Sequence, residues 1–534
     1  MRSTFVGYEV SKRTIQISQK SLDITNNNLS NINTEGYSRQ RVDLNSMFVP
    51  LSGKYGSKLA RLSLTGQGVN AFGVNQIRDK YVDKRYREFT AYVAEFDVKK
   101  NVLSEAEKIL SDIDETGLIK NLNDVKSAFA KYAADSPYNQ ELASIVRNEC
   151  YSVTQTLRDY ATKLDNLKNE NIIDLKESIS EVNELIDKIV LYNGVITGEY
   201  NITAADKIYY GETVIGSYGP NELLDQRNQL IDELSYYGNI TVSDNNDGSV
   251  KIELGGTTVV NGTKYEHVIM KDYEEYGAAV LLFTNGESVS GNCLTGDLKA
   301  RMDMLNGNGT YAAFYQNSEY GIPYYRSTLD AFANSFAKLM NDLCGQYSYT
   351  DDDGNKVTAT DPSRIMFSSD KQYDKDGNEI TDVPITASNI RISDAWMNEA
   401  TMIGRNPSYD VDKDELKWEL SLDGNMVNTL YLGLDTPIKV GRAGEFTGSI
   451  YDYCLFVDDR IAESISYYEE QYDLNSDNAN AILDVRQSIS GVSETEEGIN
   501  MMNYQKWFNA NSRMLTTMDE CVDRLINSTG LAGR

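Results

Sequence analysis

Both ends of the chain carry an unbroken heptad. Near the start, Tyr8, Ile15, Leu22 and Leu29 recur every seven residues, with Ser11, Ser18, Thr25 and Ile32 three positions after each. That spacing predicts a helix with a seam of large residues beside a row of mostly small ones. At the far end Met501, Phe508, Leu515 and Val522 form one row, and Tyr504, Asn511, Met518 and Leu525 the row three positions on. Asn511 is the single polar member, the kind of residue that fixes register. Two readings fit: the termini pair with each other, or two unrelated helices pack separately on a globular core.

The first seam runs into Asn26, Asn27, Asn28, Asn31 and Asn33. Asn costs about 0.5 kcal/mol against Ala in a helix interior, so the segment gives up roughly 2–3 kcal/mol of propensity. Buried amides bonded to a neighbouring backbone would offset that loss. Gly36 can take the left-handed conformation that ends a helix, and Tyr37 can fold back as an anchor.

Between the termini the pattern alternates. Residues 41–78 read as extended chain and turns. Helical periodicity holds from about Asp79 to Asn193, broken near Gly117 and Pro137, with Leu175, Ile179, Val182, Ile186 and Ile189 at alternating spacings of four and three. From about 200 to 295 Gly, Tyr, Thr and Val dominate. There ITVSDNNDGSVKIEL predicts two strands joined at Asp247-Gly248, and NELLDQRNQLIDELS predicts a helix over 221–235. Helix returns at about 325–345 and again from about Thr447 to Ser488. The order helix, β, helix, β, helix means β modules looped out of a helical stem.

The expected fold class is therefore α+β multidomain, a long helical bundle or coiled-coil stem built from both termini with inserted mainly-β modules. With 534 residues, three or four domains are expected. The expected division is 1–45 with 492–534 as a terminal coiled-coil domain, and 46–200 with 300–347 and 396–491 as the helical stem. An inserted β-rich domain would occupy 201–299 and a small β/loop module 348–395.

A net charge of −29 argues against nucleic acid or an anionic membrane as partner. No window approaches the length of apolar chain a membrane span needs, and the N-terminus has no apolar run of signal-peptide type. Cysteines at 150, 293, 344, 454 and 521 form no CxxC pair and no cluster with histidine, so no metal or redox site is signalled. The aspartate-rich turns at 351–355 and 374–378 fail the calcium-loop pattern: with Gly377 at the sixth position, Gln372 falls first and Val383 where the bidentate Glu should be. A catalytic triad would have to use the lone His267, and no GxSxG serves it. Neither catalysis nor a cofactor is expected.

The run NNNLSNINTEGYSRQ is similar to the N-terminal motif of the flagellar axial (rod, hook and hook-associated) proteins. Its GYSRQ ending resembles the hook-associated protein 1 family of the hook–filament junction. GQGV at 66–69, LLDQRNQLIDELS at 223–235, TGDLKARMD at 295–303 and SGVSETEEGINMMNYQKWFNANSRMLTTMDE at 490–520 match that family in order, so the resemblance spans nearly the whole chain. Glu35 departs from it, standing where the family often has proline. The resemblance implies a structural subunit that polymerises through its terminal helices and connects hook to filament. Its partners would be further copies of itself, the hook protein, the second hook–filament junction protein and a cytoplasmic export chaperone. Export would use the flagellar type III apparatus, without a cleaved signal peptide, to an extracellular place in the flagellum. Another axial protein of hook, rod or filament type is the alternative, and a secreted effector on a coiled-coil stem a more distant one.

The expected assembly residues are Tyr8, Ile15, Leu22, Asn27, Leu29, Asn31, Asn33, Gly36 and Tyr37 at the N-terminal seam and motif. Met501, Tyr504, Phe508, Asn511, Leu515, Met518, Val522 and Leu525 are expected at the C-terminal seam, which the resemblance also assigns to the chaperone. Trp507, Met514 and Cys521 flank the C-terminal rows and make an apolar face wider than one partner helix covers.

Overall fold

The computed structural model describes residues 4–46, 68–110, 117–135, 139–209, 217–218, 220–271, 273–289, 294–313, 315–350, 355–373, 379–380, 383–413, 415–420, 424–441 and 446–528. Long helices and small separate antiparallel sheets make up the fold, in agreement with a helical stem carrying β modules.

The major helices are α1 (Thr4–Ser30), α2 (Lys80–Leu110), α3 (Leu118–Ala134), α4 (Gln140–Tyr209), α5 (Asn221–Tyr237), α6 (Asp297–Asn306), α7 (Ile322–Gly345), α8 (Asn425–Gly433), α9 (Ile450–Ser490) and α10 (Glu494–Ser528). The stem pairs α2 with α9. Arg486 near the end of α9 reaches Asp83 at the start of α2 at 2.9 Å, and Tyr468 stacks on Phe96 midway, so the two run antiparallel. Around this pair α3, the first half of α4, α7 and α8 close one core, with Leu103, Phe129, Leu157, Phe336 and Trp396 fully buried. A capping box starts α9: Ser449 Oγ accepts the Asp452 N–H and the Asp452 carboxylate accepts the Ser449 N–H.

A second core lies along the other half of α4, where Leu175, Ile179, Val182, Ile186 and Ile189 meet α5, α6 and a small β region. Here β4 (Ile240–Asp244), β5 (Val250–Leu254), β6 (Thr257–Asn261) and β7 (Lys264–Tyr265) form a four-stranded antiparallel sheet. Gly248, at φ +83, takes the left-handed conformation the β4–β5 turn needs. The lone His267 lies 2.9 Å from Asp187 of α4, with its ring against that of Tyr265. α4 is one continuous helix of 70 residues, extending past the Asn193 end that periodicity suggested. α6 also faces both ways: Ala300 and Met304 belong to the first core, Leu298 and Leu305 to the second.

The strands flanking the first aspartate-rich turn, β10 (Gln346–Thr350) and β11 (Lys356–Thr360), pair antiparallel, as do Gln372–Tyr373 and Glu379–Ile380 around the second. The aspartates at 351, 352, 353, 374 and 376 lie outside the described residues. The rings of Tyr347 and Tyr349 pack at a tilt against Tyr409 of the ribbon Arg405–Asp410 with Glu415–Leu420, so this β module draws on both sides of residue 396.

Candidate assembly interface

α1 and α10 pack against each other. A Cβ added at Gly7 would lie 2.2 Å from Met518 Cε, while Asn28 reaches Glu497, so the helices run antiparallel. The α1 face turned to α10 follows Gly7, Ser11, Thr14, Ser18, Ser21, Thr25 and Asn28, at alternating spacings of four and three, and Ser11, Ser18, Ser21, Thr25 and Asn28 are buried. It is a row of small and polar residues. On α10 the less exposed positions include Met501, Tyr504, Phe508, Asn511, Leu515, Met518 and Val522, seven of the eight expected there, beside Glu497, Asn500 and Ser512; Leu525 is exposed. Large side chains of one helix thus lie over small ones of the other, which lets the two backbones approach closely.

The large N-terminal row sits to one side of this contact. Ile15, Leu22 and Leu29 are half-buried and Tyr8 is exposed. A third stripe, Ile17 and Ile24, is buried against the hairpin of β1 (Gln40–Ser46) and β2 (Val69–Gln76), where it meets Val42, Ala71 and Val74.

Of the asparagines, Asn28 carries the architecture. Its Nδ2 donates to the Gln40 carbonyl at 2.9 Å and to Glu497 Oε2 at 3.3 Å, and its Oδ1 accepts from the Gln40 N–H at 3.0 Å and the Tyr37 hydroxyl at 2.8 Å. Tyr37 is the anchor expected. Asn27 and Asn31 bond to each other one turn apart, and Asn33 is exposed. Helix α1 already ends at Ser30; Gly36, at φ +77, serves the following turn and packs on Gln229 of α5.

The chain after Gly36 ties four segments together. The Ser38 N–H donates to Asp225 of α5 and the Arg39 N–H to the Ser490 carbonyl that closes α9. The Arg39 side chain reaches Glu496 at 2.6 Å and Glu497 at 3.0 Å. Behind it Arg78 pairs with Asp83 at 3.0 Å, Arg87 with Asp232 at 2.6 Å, and Arg486 with Asp83 and Asp232 at 2.9 and 2.6 Å. Burial would push the Asp83 carboxyl up, but Arg78, Arg486 and Arg87 together hold it below the usual carboxylate range. Burial pushes Asp225 to about 6 against the pull of Ser38 and Arg78. Glu497 is 2% exposed, so it is a member of this hub. Asn28, Arg39, Gln40 and Glu497 were absent from the expected site residues, although all lie in stretches that carry the resemblance; a polar pattern does not reveal which members are buried.

Outside the contact α10 keeps an apolar face. Trp507 and Met514 are each 48% exposed, one heptad apart, with Cys521 exposed in the next. Ile499, Met502, Leu525 and Ile526 are exposed as well. Among the described residues no group of acidic, histidine and cysteine side chains could hold a metal, and no helix is long and apolar enough to cross a membrane.

Comparison with known proteins agrees with this architecture. The family model described as "Flagellar hook-associated protein FlgK helical domain" matches residues 103–355, and that described as "Flagellar basal body rod FlgEFG protein C-terminal" matches 486–528. Flagellar hook-associated protein 1 of Bacillus subtilis (strain 168) is 27% identical, with all of both chains covered. That of Escherichia coli (strain K12) is 20% identical over 96% of this chain and 98% of its own. The solved structure of the flagellar hook junction protein FlgK from Burkholderia pseudomallei shares the fold, with a TM-score of 0.52 at 11% identity, over 77% of this chain and 100% of that one. Motif order, terminal helix pair and end-to-end similarity together assign the chain to the hook-associated protein 1 (FlgK) family of flagellar axial proteins.

Proposed function

We propose that the chain is a structural subunit of the bacterial flagellum at the hook–filament junction, polymerising through its terminal helices. The observation that carries this reading is the apolar face of α10 around Trp507 and Met514, which α1 does not cover. In a tubular lattice neighbouring subunits would cover it; in an isolated chain it is an aggregation risk. Copies of the same chain, the hook protein on one side and the second junction protein on the other are the partners this role requires. A cytoplasmic chaperone would shield the C-terminal seam from Met501 to Leu525 before export by the flagellar type III route. The role is structural, with no catalytic or cofactor chemistry assigned.

Segments 1–45 and 492–534 form the assembly domain in this reading, carried by the stem of 46–200, 300–347 and 396–491. The modules 201–299 and 348–395 would decorate that stem, the second together with the ribbon of Arg405–Asp410 and Glu415–Leu420 from beyond residue 396. The sequence stretch around GYSRQ, together with the α5 and α9 partners of Ser38 and Arg39, supports a fixed angle between assembly domain and stem. Electron microscopy of cells lacking the gene tests the reading: hooks without filaments are expected, and normal filaments would overturn it.

A further inference from the structure

A polar cavity of about 770 Å³ lies where the β1–β2 hairpin, the start of α2, α5 and the β4–β5 turn come together. Five cationic side chains line it, Arg78, Lys80, Lys84, Arg87 and Arg227, against two carboxylates, Asp83 and Asp244. Such a concentration of positive charge is out of keeping with a chain of net charge −29. Several of these charges are matched: Arg78 pairs with Asp83, Arg87 with Asp232 and Lys80 with Asp244.

Arg227 and Lys84 are not matched. Arg227 is 4% exposed, and its Nη1 donates only to neutral oxygens, Asn193 Oδ1 at 3.0 Å and the Gly248 carbonyl at 2.8 Å. No carboxylate among the described residues comes within ion-pair distance of it. Its Nε, and Nη2 of the equally buried Arg87, have no acceptor among the described residues. Burying a guanidinium beside neutral partners costs several kcal/mol unless an anion compensates it. Burial pulls the Arg227 pKa down to about 10 against the longer-range attraction of Asp244, which makes no ion pair with it, and Arg87 adds to the fall. Lys84 stands exposed at the rim without an ion-pair partner among the described residues.

The geometry points to an oxyanion-binding site, with Arg227 and Arg87 at its buried end and Lys84 at its mouth. It takes a phosphate or carboxylate group, which two sources can supply: a free inorganic anion, or an acidic side chain of a second polypeptide entering the cavity. Charge-assisted hydrogen bonds from two guanidinium groups and an ammonium are the donors such a group requires. The site stands on this chain's own side chains and does not depend on the role at the hook–filament junction.

Calorimetric titration of the full chain at low ionic strength tests it, with inorganic phosphate in one arm, a penta-glutamate peptide in the other, and chloride at matched ionic strength as reference. Saturable binding is expected in at least one arm. Binding of phosphate alone identifies a free anion; binding of the peptide, displaced by phosphate, identifies an acidic segment. Lys84→Glu is expected to weaken that binding at least tenfold while leaving the melting curve unchanged, because Lys84 is exposed. Arg227→Met is expected to abolish it. No saturable heat in either arm, or equal affinity in Lys84→Glu, would overturn the site.

Discussion

Asn28 and Glu497, 469 positions apart in sequence, meet across the terminal helices, the Asn28 amide donating to the Glu497 carboxylate at 3.3 Å. Both are almost wholly buried, and the same amide closes the turn back to Gln40. One side chain therefore holds the end of α1, the start of α10 and the first strand in register.

Asn28→Ala should remove these bonds and leave the buried N–H and carbonyl of Gln40 without the amide that pairs them. Unsatisfied buried groups cost about 1–3 kcal/mol each, so a loss of about 2–4 kcal/mol confined to the terminal helices is expected. Hydrogen exchange is the measurement. Faster exchange in α1 and α10 with an unchanged stem supports the assignment, and uniform protection would refute it.

Arg486 bridges Asp83 and Asp232 from the end of α9. Arg486→Met leaves two buried carboxylates sharing Arg78 and Arg87, a change that should destabilise the junction of stem and assembly domain by about 3–5 kcal/mol. Acid should mimic it in part. The Asp83 pKa is depressed in the folded chain, so its contribution is present above the unfolded value of 3.8 and lost as pH falls through the folded one. Limited proteolysis at pH 7 and pH 3 reads both effects at the segment joining α9 to α10.

Asp458 on α9 behaves in the opposite sense. Burial, with Asp459 and Glu107 nearby, raises its pKa to about 6. A raised carboxyl binds its proton more tightly when folded, so stability falls as pH rises from the unfolded value of 3.8 towards 6 and stays lowered above that. Asp458→Asn should therefore stabilise the stem at pH 7.5 and be neutral at pH 3.5. The gain should be about 1–2 kcal/mol, less than the shift alone implies because the group is partly solvated. Urea denaturation at the two pH values decides it; an equal effect at both would contradict the cause given.

Leu515→Lys places an ammonium in the α10 row that faces α1. Within the chain α10 rests mainly on α1, so the stem should keep its melting temperature within about a degree while filament growth fails. Thr517→Lys, on the exposed side of the same turn, should be tolerated for folding. Normal filaments from Leu515→Lys, or unfolding of its stem, would remove α10 from the role proposed.

Element boundaries were largely legible from periodicity. The helix expected at 221–235 spans Asn221–Tyr237, and the strands around Asp247-Gly248 pair as their alternation required. The row of α10 facing its partner was legible too, because that helix contributes the large side chains. The matching row of α1 was legible only in part: Ser11, Ser18 and Thr25 showed as a small-residue row, but Gly7 and Ser21 carry little signal, and Tyr8, Ile15, Leu22 and Leu29 outshine the row while lying off the contact. The charged hub escaped for a related reason. Arg39, Asp83, Asp232 and Arg486 come from separate segments, and only folding shows which charges lose their water.

The helix α4 runs from one core into the other without a break, and residues 168–174 at the crossing contain neither Gly nor Pro. At 1.5 Å per residue it is about 105 Å long, and bending it there would require breaking consecutive backbone hydrogen bonds. α6 binds the same two cores side by side. A twisting load applied to one core therefore meets no compliant joint before it reaches the other. The terminal pair joins this rigid body through the turn at Gly36 and the break at Gly491, where a Cβ would lie 2.4 Å from the Gln487 carbonyl and the Ser490 carbonyl holds the Arg39 N–H.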